Sequence, residues 1–213
     1  MKILVDENIP YGREAFSTLG EVTTMSGRAI NPQAVADADL LMVRSITKVN
    51  EALLADSPVK FVATATIGED HIDKPYLAAK GVGFSSAPGC NANSVGQYIT
   101  AALVELEKCQ GITLERAKLG IVGVGNVGKR VLQKASAMGM ECILNDPPLA
   151  RQTGDSRYQP LEAIFDCDIV TLHVPLTKEG PDATRHLADD CFIRKMKPGA
   201  VLINSSRGPV VDN

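Results

Sequence analysis

Three glycines at 123, 125 and 128 fall in G-x-G-x-x-G spacing directly after the apolar run Leu119–Val122. A short apolar run bounded by glycine reads as a buried strand. In a strand–turn–helix unit, Gly123 permits the tight turn and Gly125 lets a pyrophosphate approach the backbone. Gly128 lets the next helix pack closely on the sheet. Apolar residues at Val127, Val131, Leu132, Ala135 and Met138 give that helix one buried face. Its first N–H groups, those of Asn126 and Val127 among them, present the positive end of the helix dipole to phosphate. A second strand, Glu141–Asn145, runs into Asp146, 18 residues beyond Gly128. A carboxylate there accepts from ribose hydroxyls and repels a 2′-phosphate. Strand, glycines, amphipathic helix, second strand and acid in that order imply a bound dinucleotide, NAD rather than NADP.

Other reactive side chains are sparse. Arg207 follows the fourth strand predicted in this half, at the carboxyl end where such sheets bind ligands. The plain alternative is a surface arginine in a loop. Of the three histidines, His173 sits at a strand end near the cofactor, and His71 has Glu69, Asp70 and Asp73 as neighbours. Both read as structural or hydrogen-bonding residues, and His186 as a surface residue. None is a convincing general base with a pKa near working pH. The five cysteines, at 90, 109, 142, 167 and 191, form no C-x-x-C pair and lack zinc-finger histidine spacing. They read as reduced thiols of a cytoplasmic protein. A net charge of −3 with no basic cluster argues against a nucleic-acid surface, and no apolar run approaches a membrane span.

These residues need a frame, and 213 residues suffice for one large or two small domains. In the first half, strands are predicted at Lys2–Val5, Leu40–Val43, Lys60–Ala63 and Val82–Phe84. Helices are predicted at Pro10–Leu19, Asn50–Ala55 and Asp73–Lys80, and a longer one at about Asn93–Lys108. The second half continues with the glycine unit and a loop at 147–158. A short helix near Leu161–Phe165 follows, then strand Asp168–Leu172, a helix near Ala188–Met196 and strand Ala200–Asn204. The fold class is α/β: a flavodoxin-like substrate domain over 1–100 and a Rossmann-type dinucleotide-binding domain over 101–213. Four strands are read in a sheet that normally has about six. The expectation is therefore an incomplete dinucleotide domain and a chain that is part of a longer enzyme.

Several segments resemble the NAD-dependent D-2-hydroxyacid dehydrogenases. They are Gly123–Gly128, Asp146, His173-Val174-Pro175-Leu176-Thr177, Lys197-Pro198-Gly199 and Ser205-Ser206-Arg207-Gly208. The opening Met1–Asn8 and the segments Met42–Asn50, Ala63–Thr66, Ala87–Asn91 and Asn145–Pro148 resemble members that act on a phosphorylated sugar acid. The resemblance implies that Arg207 is the catalytic arginine, holding a substrate carboxylate and polarising the C2 oxygen. It implies substrate contacts at Ser45 and Thr66. Arg44 could join them at a phosphate or simply be solvated or paired. Val174, Pro175, Ser205, Ser206 and Arg207 would line the nicotinamide side of the cofactor. The family's base is a histidine assisted by a glutamate, both C-terminal to the arginine motif, with no counterpart in these residues. A homodimer is implied through the long helix, whose apolar faces could equally be domain core. Two alternatives stay open: another 2-hydroxyacid enzyme of the family, and an NAD-binding module without catalysis.

Overall fold

Alternating side chains build the first sheet. In β1 (Lys2–Asp6), Leu4 packs into one core while Ile3 and Val5 pack into another on the opposite face. In β3 (Leu40–Val43), Leu41 and Val43 join the first core, and Met42 the second. With β2 (Glu21–Met25), β4 (Phe61–Thr64) and β5 (Gly83–Ser85) they form a fully parallel sheet in the order β2-β1-β3-β4-β5. That order is the flavodoxin-like one. Helices α1 (Gly12–Phe16), α2 (Glu51–Leu54) and α3 (Lys74–Lys80) complete this unit. The Asn50 and Asp73 side chains accept from the Leu53 and Tyr76 N–H groups, capping α2 and α3.

The second sheet follows the same logic. In β6 (Lys118–Val122), Leu119 and Ile121 face one core, and Val122 faces the other. Gly120 brings Ile164 and Cys167 so close that a Cβ would lie 2.8 Å from the Ile164 side chain. Strands β7 (Glu141–Asn145), β8 (Ile169–Leu172) and β9 (Val201–Asn204) complete a parallel sheet ordered β7-β6-β8-β9. Every residue of β8 is buried, as expected of a strand covered on both faces. Beyond β7, Tyr158 makes a single parallel bridge to Leu144. The third strand of a 3-2-1-4-5 nucleotide-binding sheet is thereby reduced to one residue.

The computed structural model describes residues 1–213 as two compact units, Met1–Cys90 and Asn91–Asn213. The division falls ahead of α4 (Ala92–Gln110), ten residues before the boundary expected at 100. Ile99 and Leu103 of α4 are buried in the core of the second sheet. Gly96 lets α4 approach α5 (Asn126–Ala137) so closely that a Cβ would lie 3.0 Å from Arg130 Cβ. The helix therefore belongs wholly to the second unit. Two more expectations are corrected. Residues 21–25, where no strand is predicted, form strand β2, whose half-exposed edge position leaves little apolar signal. Residues 147–153, expected as loop, form helix α6 (Pro147–Thr153). The prolines that suggested a loop occupy its first turn, where a missing N–H costs nothing. Helix α7 (Asp190–Lys195) precedes β9. No helix is long and apolar enough to cross a membrane.

Candidate active site

The glycine turn after β6 fits a pyrophosphate. Gly123 has φ 86°, and a Cβ there would lie 2.8 Å from the His173 backbone. A Cβ on Gly128 would sit 2.0 Å from the Gly123 carbonyl oxygen, so only glycine lets α5 start this close to the turn. At Gly125 a Cβ would meet nothing within 4 Å, the open approach that a bulky anion needs. Helix α5 begins at Asn126, and its first intrahelical bond is donated by Lys129 to the Gly125 carbonyl at 3.1 Å. The N–H groups of Asn126, Val127 and Gly128 thus lie ahead of the helical ladder, forming the positive end of the helix dipole.

Asp146 closes one side of this turn. Its Oδ2 accepts from the Val124 N–H at 2.7 Å, and its Oδ1 caps α6 by accepting from the Leu149 N–H at 3.0 Å. The carboxylate is therefore locked in place by two backbone donors and retains lone pairs for ribose hydroxyls. Neither bond was foreseen from the spacing, although an acid immediately before Pro-Pro is a helix-start signal.

On the other side of β6, a hydrogen-bonded chain joins β8 to β9. Ser205 Oγ donates to the Leu172 carbonyl at 3.2 Å, so it accepts from His173 Nδ1–H at 2.6 Å. His173 Nε2 then accepts from Thr171 Oγ1 at 2.9 Å. This network assigns the neutral Nδ1–H tautomer. Burial lowers the His173 pKa from 6.5 to about 4. Ser206 Oγ accepts from the Val174 N–H at 2.9 Å, tying the Val174-Pro175 segment to the serine–arginine turn. That turn is clamped by Asn204: its Oδ1 accepts from the Ser206 N–H and its Nδ2 donates to the Arg207 carbonyl, both at 2.9 Å. Arg207, half-buried, follows directly. Thus Val174, Pro175, Ser205, Ser206 and Arg207 gather at the carboxyl ends of adjacent strands. Thr171 and Asn204 were missed from sequence. Thr171 was legible, since strand alternation puts it on the same side as His173.

Within the first unit, Ser45 is exposed in the turn after β3, where the Thr47 N–H donates to the Arg44 carbonyl at 3.2 Å. Buried Thr47 anchors the turn through its hydroxyl, 2.8 Å from the Gly27 carbonyl. Thr66 follows β4. Its hydroxyl donates to the Gly68 carbonyl at 3.1 Å and so accepts from Thr64 Oγ1 at 2.8 Å. Thr64 in turn accepts from His71 Nε2 at 3.1 Å. His71 is thus a buried scaffold residue behind Thr66. His186, half-buried, lies 3.3 Å from Asp212 through Nδ1. All five cysteines are free thiols, and no cluster of side chains has metal-ligand character.

Comparison with known proteins accords with this frame. Residues 3–145 match the catalytic domain, and residues 93–213 the NAD binding domain, of the D-isomer specific 2-hydroxyacid dehydrogenases. The chain is 53% identical over 214 aligned residues to the erythronate-4-phosphate dehydrogenase of Escherichia coli O1:K1, and 52% to that of Salmonella arizonae. All of this chain is covered in both, but only 57% of each relative's length. Among solved structures, NAD+-bound 3-phosphoglycerate dehydrogenase of Entamoeba histolytica matches with a TM-score of 0.84 at 29% identity, covering the whole chain and 74% of the other. D-lactate dehydrogenase of Aquifex aeolicus, complexed with NAD and lactic acid, matches with a TM-score of 0.79 at 26% identity, covering 71% of that chain. Two parallel sheets, a glycine turn suited to NAD and matches to both domains lead to one conclusion: the chain belongs to the D-isomer specific 2-hydroxyacid dehydrogenase family.

Proposed function

We propose that the chain serves the NAD-dependent oxidation of 4-phospho-D-erythronate to its 2-oxo acid, a step toward pyridoxal 5′-phosphate. The observation that carries this reading is the identity of 53% along the whole chain to erythronate-4-phosphate dehydrogenases. Bound NAD supplies the acceptor for the hydride that leaves C2. Arg207 would hold the substrate carboxylate with its planar fork and stabilise charge on the C2 oxygen, a task suited to arginine rather than lysine. The Asn204 clamp and the Ser206–Val174 bond would fix that fork's backbone relative to the cofactor segment. Ser45 and Thr66 would take the rest of the substrate. The Thr66 hydroxyl proton is engaged by Gly68, so an anion there would be met by backbone N–H groups or by exchange of that bond. A homodimeric, cytoplasmic setting goes with this reading, and the free thiols accord with it.

Calorimetric titration of the NAD-saturated chain with 4-phospho-D-erythronate, 3-phosphoglycerate and D-lactate tests the proposal. The four-carbon phosphate should bind at least about tenfold more tightly than the others. Arg207→Lys should weaken it about as much, in line with about 1.4 kcal/mol for one lost bidentate contact. Preference for 3-phosphoglycerate would instead favour the sibling activity named for the Entamoeba structure.

A further inference from the structure

In the second sheet β6 lies between β7 and β8, and neighbouring strands run about 4.8 Å apart. Whatever leaves the carboxyl ends of β7 and β8 therefore stands on either side of the glycine turn that leaves β6. From β7 this is Asp146 with α6, and from β8 it is Val174-Pro175 with the loop running on to Thr184. Arg151 of α6 meets Asp182 of that loop. Its Nη1 lies 3.2 Å from Oδ1, and its Nη2 bonds Oδ2 in parallel.

Both feet of this bridge are rooted in the crevice walls. Helix α6 starts on the Asp146 cap. The Asp182 carbonyl accepts from Thr177 Oγ1 at 3.2 Å, and the Thr177 N–H donates to Thr184 Oγ1 at 2.8 Å. Thr184 in turn donates to the Pro175 carbonyl. A continuous path thus runs from Asp146 through Arg151 and Asp182 to Pro175. Four other surface ion pairs of this unit make no such path. Arg157–Asp155 and Arg194–Asp190 close within a few residues of themselves, while Lys118–Glu141 and Lys197–Asp168 lie at the amino ends of strands.

We propose that the Arg151–Asp182 pair is a tie across the adenosine end of the dinucleotide crevice. It holds Asp146 and Pro175 at the spacing adenosine requires, which makes Arg151 and Asp182 positioning residues for the cofactor. The proposal rests on the reading that adenosine lies between Asp146 and Pro175. A fork–fork arginine–carboxylate pair suits this work because it fixes orientation as well as distance. The pair is largely exposed, with 59% and 28% of the two side chains accessible, so its contribution is modest.

Titrating the 213-residue chain with NAD and with ADP-ribose tests the tie. Arg151→Ala and Asp182→Ala should each raise the Kd of both ligands by about two- to fivefold, the range of a well-formed exposed pair. The swapped double variant R151D/D182R should recover at least half of that loss, a rescue that a general loss of stability would not give. Arg194→Ala, which breaks an exposed ion pair within α7, should leave both Kd values unchanged. Asp146→Ala serves as the reference for the crevice. If it weakens binding while the Arg151 and Asp182 variants bind as the parent does, the tie is wrong and the crevice stands. If Asp146→Ala also has no effect, the crevice reading fails and the tie with it.

Discussion

At the scale of single residues, Asp146 carries more than its spacing announced. The position 18 residues past Gly128 pointed to ribose, yet the same carboxylate braces Val124 and caps α6. The two duties separate by substitution. Asn keeps the α6 cap through its one carbonyl oxygen but cannot also accept from the Val124 N–H, so Asp146→Asn should cost about 1 kcal/mol for that bond while removing the charge that repels a 2′-phosphate. The ratio of NADP to NAD affinity should then rise by about tenfold, from Coulomb energies of about 1–4 kcal/mol near a surface. Asp146→Ala should in addition cost about 1 kcal/mol in urea unfolding through the lost cap. His173 shows the converse case, a tempting base that the structure commits elsewhere. Its folded pKa is about 4 against an ordinary 6.5. Between those values the unfolded chain binds more protons than the folded one, so stability should fall as pH drops through that window and be recovered above it. Urea unfolding from pH 7 to pH 4 should show a shallower decline for His173→Asn than for the parent. Parallel curves would mean that His173 does not carry this linkage.

Among the elements, the glycine unit was legible because three physical demands converge on three positions. Two of them have no tolerance: Gly123, with φ 86° and the His173 backbone 2.8 Å from a would-be Cβ, and Gly128. Gly128→Ala would drive a methyl to within 2.0 Å of the Gly123 carbonyl oxygen, and backbone cannot yield as a side-chain tip can. Helix α5 must shift, at about 1–3 kcal/mol for overpacking, and its N-terminus leaves the phosphate position. The variant should melt lower and bind NAD at least about tenfold more weakly, both readable in one thermal-shift series with and without cofactor. A Gly125→Ala variant should melt like the parent, since open space surrounds that position, and lose affinity alone. What escaped sequence reading was the low-contrast part of the fold. Strand β2 lies on an edge with half-exposed threonines, so it lacks a strong apolar rhythm. Helix α6 hides behind two prolines that mark loops as often as helix starts. The boundary near 100 was misplaced because α4 carries apolar residues around much of its surface, and only packing shows that Ile99 and Leu103 face the second sheet.

For the whole molecule, the question is where the alcohol proton goes. Hydride cannot leave C2 productively unless a group of suitable pKa takes the hydroxyl proton. His173 spends both ring nitrogens on Thr171 and Ser205 and resists protonation above about pH 4. His71 donates Nε2–H to Thr64 in the first unit, and His186 faces Asp212. Arg207 presents N–H donors and no acceptor, so it can steady charge but not take the proton. The chain spans 57% of its relatives' length, and none of these histidines or Arg207 is placed to take the proton of the proposed reaction. The 213-residue chain should therefore bind NAD yet reduce it with 4-phospho-D-erythronate about 10²–10⁴-fold more slowly than those relatives, the usual worth of a general base. NADH absorbance in the presence of added imidazole discriminates the possibilities. A rate that climbs in proportion to free imidazole would mean hydride geometry is intact and only the base is wanting. A fast rate without imidazole would place a base among these 213 residues and require the His173 network to open during turnover. Binding with no turnover at any imidazole concentration would favour a module that holds NAD without using it.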